Sequence, residues 1–248
     1  MTDHLPRTVD QLVEEQARHW HEQQARGLGE PRRPVLTLSR QHGARGGELA
    51  ALLAERLGLR LFDREILQEV AHSAHLGEHV VQGLDDRDRA GMEDWLASLL
   101  AHEYISLSSY REHLTRVIGL ISWFGGAAIL GRGAHLILGP PQALRVMVVA
   151  PLEARVAEVM RREGLEERQA RRRIIEVEAE RDAFLVRHFH AKFGDPATFD
   201  LVINTSTLGL EGAVEPVRAA LARRAFEPST YHEWVHGQQR IPAAIDRR

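Results

Sequence analysis

Three closely spaced glycines, Gly43, Gly46 and Gly47, separate an apolar run at Val35–Leu38 from an amphipathic pattern carrying Leu49, Leu52, Leu53 and Leu57. A strand, a glycine-bearing turn and a helix start in that order form a phosphate cradle. Free backbone N–H groups and the positive end of the helix dipole converge there. The full phosphate-loop pattern G-x-x-x-x-G-K-[ST] would need lysine and a hydroxyl where Gly46 or Gly47 and Glu48 stand. Both are missing. The 32 basic residues include a single lysine, Lys192, far along the chain, so any local side-chain charge must come from arginine. Arg40 and Arg45 are the candidates, because a guanidinium fork suits phosphate oxygens.

The elements that must position this turn can be read from hydropathy. Val35–Leu38, Leu59–Phe62, Ala127–Leu130, Arg145–Val149 and Leu201–Ile203 are short apolar strands, and helical patterns alternate with them. Such alternation indicates an α/β fold with a parallel sheet covered on both faces. In such sheets ligands bind beyond the carboxyl ends of the strands. That rule points at Ser39–Gly47, Asp63, Gly131–Arg132 and Pro151, and separately at Asn204. A first helix running to about Arg26 carries Leu12, Val13 and Trp20, and Gly27, Gly29, Pro31 and Pro34 break it. Residues 1–34 therefore read as a helical arm able to dock on its own core or on a second copy of the chain in a homodimer. Residues 73–124 read as mostly helical, and residues 226–248 as a loosely attached tail.

Composition bounds the function. A length of 248 residues suffices for one well-buried core with extensions. A net charge of −3 gives no general basic field, so nucleic acid is not an expected partner. The absence of cysteine excludes disulfides and thiolate metal sites and fits a reducing cytoplasm. No apolar run reaches the length of a membrane span, so no membrane partner is expected. His72, His75 and His79 share helical spacing, but Gly77 interrupts it and no carboxylate completes a metal set.

Four segments, LTLSRQHGARGGELAALLAERLG, LFDREIL, AAILGRGAHLIL and FDLVINTSTLGLE, occur in an order that resembles the cytidylate kinase-like family, a branch of the P-loop nucleoside monophosphate (NMP) kinases. The resemblance spans roughly Val35 to Leu221. It implies a three-layer P-loop fold over residues 35–225: a five-stranded parallel sheet with a helical NMP-binding insert at 73–124 and an arginine-bearing lid at 161–181. The family branch tends towards a lysine-free SRxxGSGGRE loop. Here the loop reads Ser39, Arg40, Gln41, His42, Gly43, Ala44, Arg45, Gly46, Gly47 and Glu48, so Arg45 replaces a glycine and Gly47 an arginine. By resemblance Ser39, Arg40, Gly43, Ala44, Gly46, Gly47 and Glu48 belong to the nucleotide cradle, with Glu48 in the place of the hydroxyl that holds Mg²⁺. Asp63 and Arg64 take the place of acceptor contacts, with a helix N-cap and a surface arginine as the simpler reading. Arg132, set between glycines, matches the arginine that meets the acceptor phosphate.

The stretch MRREGLEERQARRRIIEVEAERDAF alternates charges, which by itself describes a solvated helix face. In NMP kinases lid arginines neutralise the transferring group. Arg162, Arg172 and Arg181 are the candidates here, and Arg181 matches the arginine of a D-x-x-R segment in which Glu178 replaces the aspartate. Arg45, Arg132, Arg162, Arg172 and Arg181 thus form the candidate catalytic set. The implied activity is transfer of the γ-phosphoryl of Mg²⁺-bound ATP to CMP, dCMP or a related nucleotide. The alternatives are a non-catalytic nucleotide-binding or assembly protein that lost the lysine, and a kinase of a non-nucleotide small molecule.

Overall fold

The computed structural model describes residues 33–63, 86–100 and 109–223, together with Glu15, Ala17, Arg18 and Glu22 of the N-terminal segment. Five strands, β1 (Val35–Arg40), β2 (Arg60–Phe62), β3 (Ala127–Leu130), β4 (Leu144–Val149) and β5 (Leu201–Asn204), form one sheet in the order β2-β3-β1-β4-β5. All the pairings are parallel: Thr37 on β1 lies beside Ile129 of β3 on one side and Arg145 of β4 on the other. The chain leaves β1 for one half of the sheet and returns through β4 to the other half. β1 is therefore the switch strand, and its carboxyl end opens the crevice where α/β sheets hold ligands.

Seven α-helices accompany this sheet among the described residues: α1 (Gly46–Leu57), α2 (Asp86–Leu100), α3 (Ser109–Phe124), α4 (Ala134–Ile137), α5 (Leu152–Glu163), α6 (Glu167–Phe189) and α7 (Thr205–Ala222). The period-2 alternation of strands divides the core between two faces. Leu36, Leu38, Ala128, Leu130, Leu144, Val146 and Val148 meet Leu49, Leu53, Val217 and Leu221 of α1 and α7. Val35, Ala127 and Ile129 point the other way, towards Met92, Trp95, Leu99, Leu114, Ile118 and Ile121 of α2 and α3. The central strands are near-continuous apolar runs because both faces are covered. Val202 of β5, on an edge strand, is exposed.

Four of the expected strands hold within one residue at each end, while β1 runs two residues further than expected, to Arg40; of the helical reading of 73–124, the described residues 86–100 and 109–124 form α2 and α3. In α1 the buried face comprises Leu49, Ala50, Leu53 and Ala54, while Leu52 and Leu57 lie at its margin. Two of the described arm residues meet the body of the protein, while Arg18 and Glu22 are exposed. Ala17 is buried in the cluster beneath α2 and α3, and Glu15 pairs with Arg60 at the start of β2. Arg64, the histidines at 72, 75 and 79 and the tail beyond 223 lie outside the described residues.

Helices α5 and α6 form a hairpin beyond the carboxyl ends of β1 and β4. Gly164, in the left-handed region at φ 67°, turns the chain between them. Val156, Val159, Ala170 and Ile174 give the hairpin its own small core, and a Glu166–Gln169 capping box starts α6.

Candidate functional site

The glycine turn hangs between β1 and α1. Gln41 carries β1 one residue further by donating its N–H to the Val148 carbonyl at 3.0 Å, and its side-chain oxygen accepts from Ala150 N–H. Gly43 lies at φ 82°, and a Cβ there would stand 2.5 Å from the carbonyl oxygen of Arg155 on α5. The glycine is therefore required on two counts, by backbone angle and by close approach. Ala44 is held from the far side, because Thr205 at the start of α7 donates its hydroxyl to the Ala44 carbonyl at 2.9 Å. A Cβ on Gly46 would collide with the side chain of Arg40, whereas one on Gly47 would meet nothing within 4 Å.

Arg45 caps α1 in the left-handed conformation, and its guanidinium turns along the helix to Glu48 at 2.6 Å. Both side chains are more than two-fifths exposed. The pair holds the Glu48 carboxyl below, and the Arg45 guanidinium above, their ordinary pKa values through this hydrogen bond. The cation nearest the loop is thus committed to the neighbouring carboxylate. The same commitment bears on Mg²⁺. Both Glu48 oxygens accept from Arg45, and no group of three or more His, Cys, Asp or Glu that could hold a metal ion occurs among the described residues. A cage made by protein alone does not fit. One first-turn carboxylate fits only a metal that arrives already held by phosphates.

Beside the loop, at the carboxyl ends of β1 and β3, a cleft of about 600 Å³ including its open mouth is lined by Ser39, Arg40, Arg132, Glu180, Arg181 and Phe184, among others. Three guanidiniums reach it from three elements. Arg40 ends β1, and its tip passes so close to Gly131 that a side chain there would clash. Arg132 follows β3 with φ 54°, between Gly131 and Gly133, and lies 5.3 Å from the centroid of the Phe184 ring. Arg181 extends from α6 and donates to the Arg40 carbonyl at 2.7 Å. Arg45, Arg132 and His190 are the non-glycine residues with positive φ among those described, so two of the three belong to the loop and the cleft. Backbone strain of this kind concentrates at ligand sites.

The other candidates distribute unevenly. Arg162, at the end of α5, pairs with Glu163 at 2.6 Å, and its charge is felt by His42 and Glu48 near the loop. Arg172 is 82% exposed, pairs with Glu176 and does not reach the cleft. Asp63 follows β2 at the edge of the described residues. Glu178 neither pairs with Arg181 nor lines the cleft; it accepts from the His42 N–H at 3.2 Å and from Arg155 at 2.6 Å. The carboxylate that does face the cleft belongs to Glu180.

Sequence reasoning missed Arg155, Thr205 and His135. His135 lies behind Ser39, with its Nδ1 3.2 Å from the serine hydroxyl and its ring stacked on Phe199 at 4.6 Å. Burial lowers its pKa to about 3, and the Arg145 charge adds to this. His42 is lowered to about 4, first by burial and then by the charges of Arg181 and Arg162. Both rings stay neutral in the folded chain, whereas in the unfolded chain they protonate near 6.5. The unfolded state therefore gains protons first on acidification. Stability should fall as pH drops from about 6.5 towards 4, by about 1–2 kcal/mol per histidine between pH 7 and 5. Denaturant titrations at the two pH values measure this. His135→Gln should remove its share of the slope, and an unchanged slope in that variant would refute the assignment.

The glycine turn at the switch strand, with its missing lysine and an arginine-lined cleft alongside, is a recognisable constellation. The sequence profile described as the cytidylate kinase-like family matches residues 35–207, a span that holds the whole sheet and every cleft residue named above. The chain belongs to the cytidylate kinase-like family. Among solved structures, an uncharacterized protein from Eubacterium ventriosum superposes with a TM-score of 0.54 at 20% identity, covering 77% of this chain and 100% of that one. This likeness shows a shared fold. Shikimate kinase from Bacteroides thetaiotaomicron matches with a TM-score of 0.43 at 14% identity, over 76% of this chain and 98% of its own. Among curated proteins, the uronate isomerase of Corynebacterium glutamicum is 33% identical over 100 residues, 40% of this chain. The match spans only 19% of that protein. No helix among the described residues is long and apolar enough to cross a membrane.

Proposed function

We propose that this cytidylate kinase-like chain is a phosphotransferase that moves the γ-phosphoryl of ATP to a small anionic acceptor. CMP or dCMP is the first acceptor to test. The reading rests on one observation above all: Arg40, Arg132 and Arg181 line a single cleft that adjoins the Gly43–Gly47 turn. Phosphoryl transfer asks mainly for positioning and charge neutralisation, with little covalent chemistry from the protein. In this reading the loop N–H groups cradle the donor phosphates, Arg132 and Arg40 hold the acceptor anion, and Arg181 neutralises charge between them. ATP would bring its Mg²⁺, with Glu48 as the carboxylate in the first turn of α1 once Arg45 releases it. Phe184 offers an apolar surface to the acceptor, and Glu180 an acceptor of hydrogen bonds from hydroxyl or amino groups.

The Arg45–Glu48 pair supports a second reading, in which the loop binds nucleotide without turnover. Purified protein with Mg·ATP and each common nucleoside monophosphate in turn, followed by chromatography for nucleoside diphosphate, separates the two. Diphosphate formed from one acceptor supports the kinase reading and names the substrate. ATP binding with no diphosphate from any acceptor would overturn the nucleotide acceptor and leave the binding role or a non-nucleotide acceptor.

A further inference from the structure

The residue immediately before Gly43 is gripped on both sides of its backbone. His42 donates its N–H to Glu178 Oε1 at 3.2 Å, and its carbonyl accepts from Arg155 Nη1 at 3.4 Å. The same Arg155 nitrogen donates to the same Glu178 oxygen at 2.6 Å, closing a ring of three contacts around one residue of the loop. Arg155 is 8% exposed, and its Nε donates to the Ala150 carbonyl, which fixes the guanidinium plane. Its own backbone forms the wall against which Gly43 packs. The two gripping residues come from the two arms of the hairpin, Arg155 from α5 and Glu178 from α6.

This arrangement answers a physical need. A glycine turn loses more conformational freedom on ordering than any other stretch. The turn has no lysine and its one cation, Arg45, is paired to Glu48, so the backbone must be held ready by its surroundings. A carboxylate beside an anion site would repel the ligand, and Arg155 at 2.6 Å neutralises it. We propose that Arg155 and Glu178 are positioning residues that hold the phosphate loop in its ligand-ready shape, making the base of the α5–α6 hairpin a fixed brace of the donor site. The inference rests on residues 39–48 being the donor loop. It assigns the carboxylate of the E-x-x-R segment to the donor side and leaves Glu180 to the acceptor cleft.

The test compares wild type, Glu178→Gln, Glu178→Ala and Arg155→Lys by calorimetric titration with Mg·ATP in the absence of acceptor, alongside thermal unfolding. Turnover with whichever acceptor yields diphosphate in the chromatographic assay gives both KM values. Glu178→Ala should weaken ATP binding by about tenfold or more, the loss of one or two charge-assisted hydrogen bonds, and leave the acceptor KM within about twofold. The near-isosteric Glu178→Gln keeps an oxygen for the His42 N–H and should recover part of the affinity. If the wild type binds no Mg·ATP, the donor-loop reading fails and takes this inference with it. If the wild type binds and Glu178→Ala binds equally well, the inference alone is overturned. An equal rise in both KM values, tracking a lower melting temperature, would also overturn it, since that is the mark of a merely structural pair.

Discussion

Alanine at Gly43 is expected to abolish nucleotide binding and to cost about 2–5 kcal/mol of stability, the sum of backbone strain and overpacking. The residue stands at φ 82°, where an L side chain is strained whatever space it has. Space is absent too. The added carbon would lie 2.5 Å from the carbonyl oxygen and 2.9 Å from the Cβ of Arg155, which are part of α5 and its first turn and not the tip of a flexible side chain. Relief requires either the loop to leave its cradle shape or the helix start to shift. Either movement would separate His42 from the Arg155–Glu178 pair. Gly47→Ala is the matched control for stability alone, because it lies in the first turn of α1 with no protein atom within 4 Å of an added carbon. That change should be neutral or stabilise by up to about 1 kcal/mol, as alanine does for glycine in a helix. Denaturant unfolding and ATP titration of the two variants measure both effects. A Gly43→Ala protein with wild-type stability and ATP affinity would show that the loop is not held as described.

The contrast between these glycines shows what a sequence can and cannot disclose. The sheet was legible because its strands are short apolar runs covered on both faces, and all but β4, which runs into Ala150 and Pro151, end at or just before a glycine, an asparagine or a charged residue that marks the crevice. The turn at Gly43–Gly47 and the arginine at Arg132 were legible for the same reason, as they follow strands directly. The work of individual arginines was not. Arg45, Arg162, Arg172 and Arg181 are alike in type and setting along the chain, yet the structure gives them different surroundings. Arg45 and Arg172 face carboxylates three and four residues away at the surface, whereas Arg181 reaches a carbonyl 141 residues distant. Helical periodicity does not record such partners. Glu178 and His42 stand 136 residues apart, and Ser39 and His135 96 residues apart, so their pairing exists only after the chain has folded.

Among the arginines, removing Arg181 should have the largest effect on turnover, a fall in kcat/KM of about 10²–10³ for Arg181→Ala, in the range for loss of a group that neutralises transition-state charge. Two observations place this guanidinium between the glycine loop and the cleft. It donates to the Arg40 carbonyl, where β1 passes into the loop, and it lines the cleft beside Arg40 and Arg132. It is also, after burial, the strongest influence depressing the pKa of His42, so its charge is felt within the loop itself. A cation so placed can meet both the leaving and the accepting phosphate, whereas Arg132 reaches only the cleft. Arg181→Lys keeps the charge but loses the planar fork, and should recover about one order of magnitude over alanine. Arg172→Ala, on an exposed surface pair, should leave kcat/KM within about twofold, because such pairs contribute little. Steady-state kinetics on these three variants, with the acceptor identified by diphosphate formation, decide the matter. Equal losses in Arg172→Ala and Arg181→Ala would mean that general lid charge, and not the position of Arg181, carries the reaction. An effect confined to acceptor KM would move Arg181 from the transferring group to the ground-state binding of the acceptor.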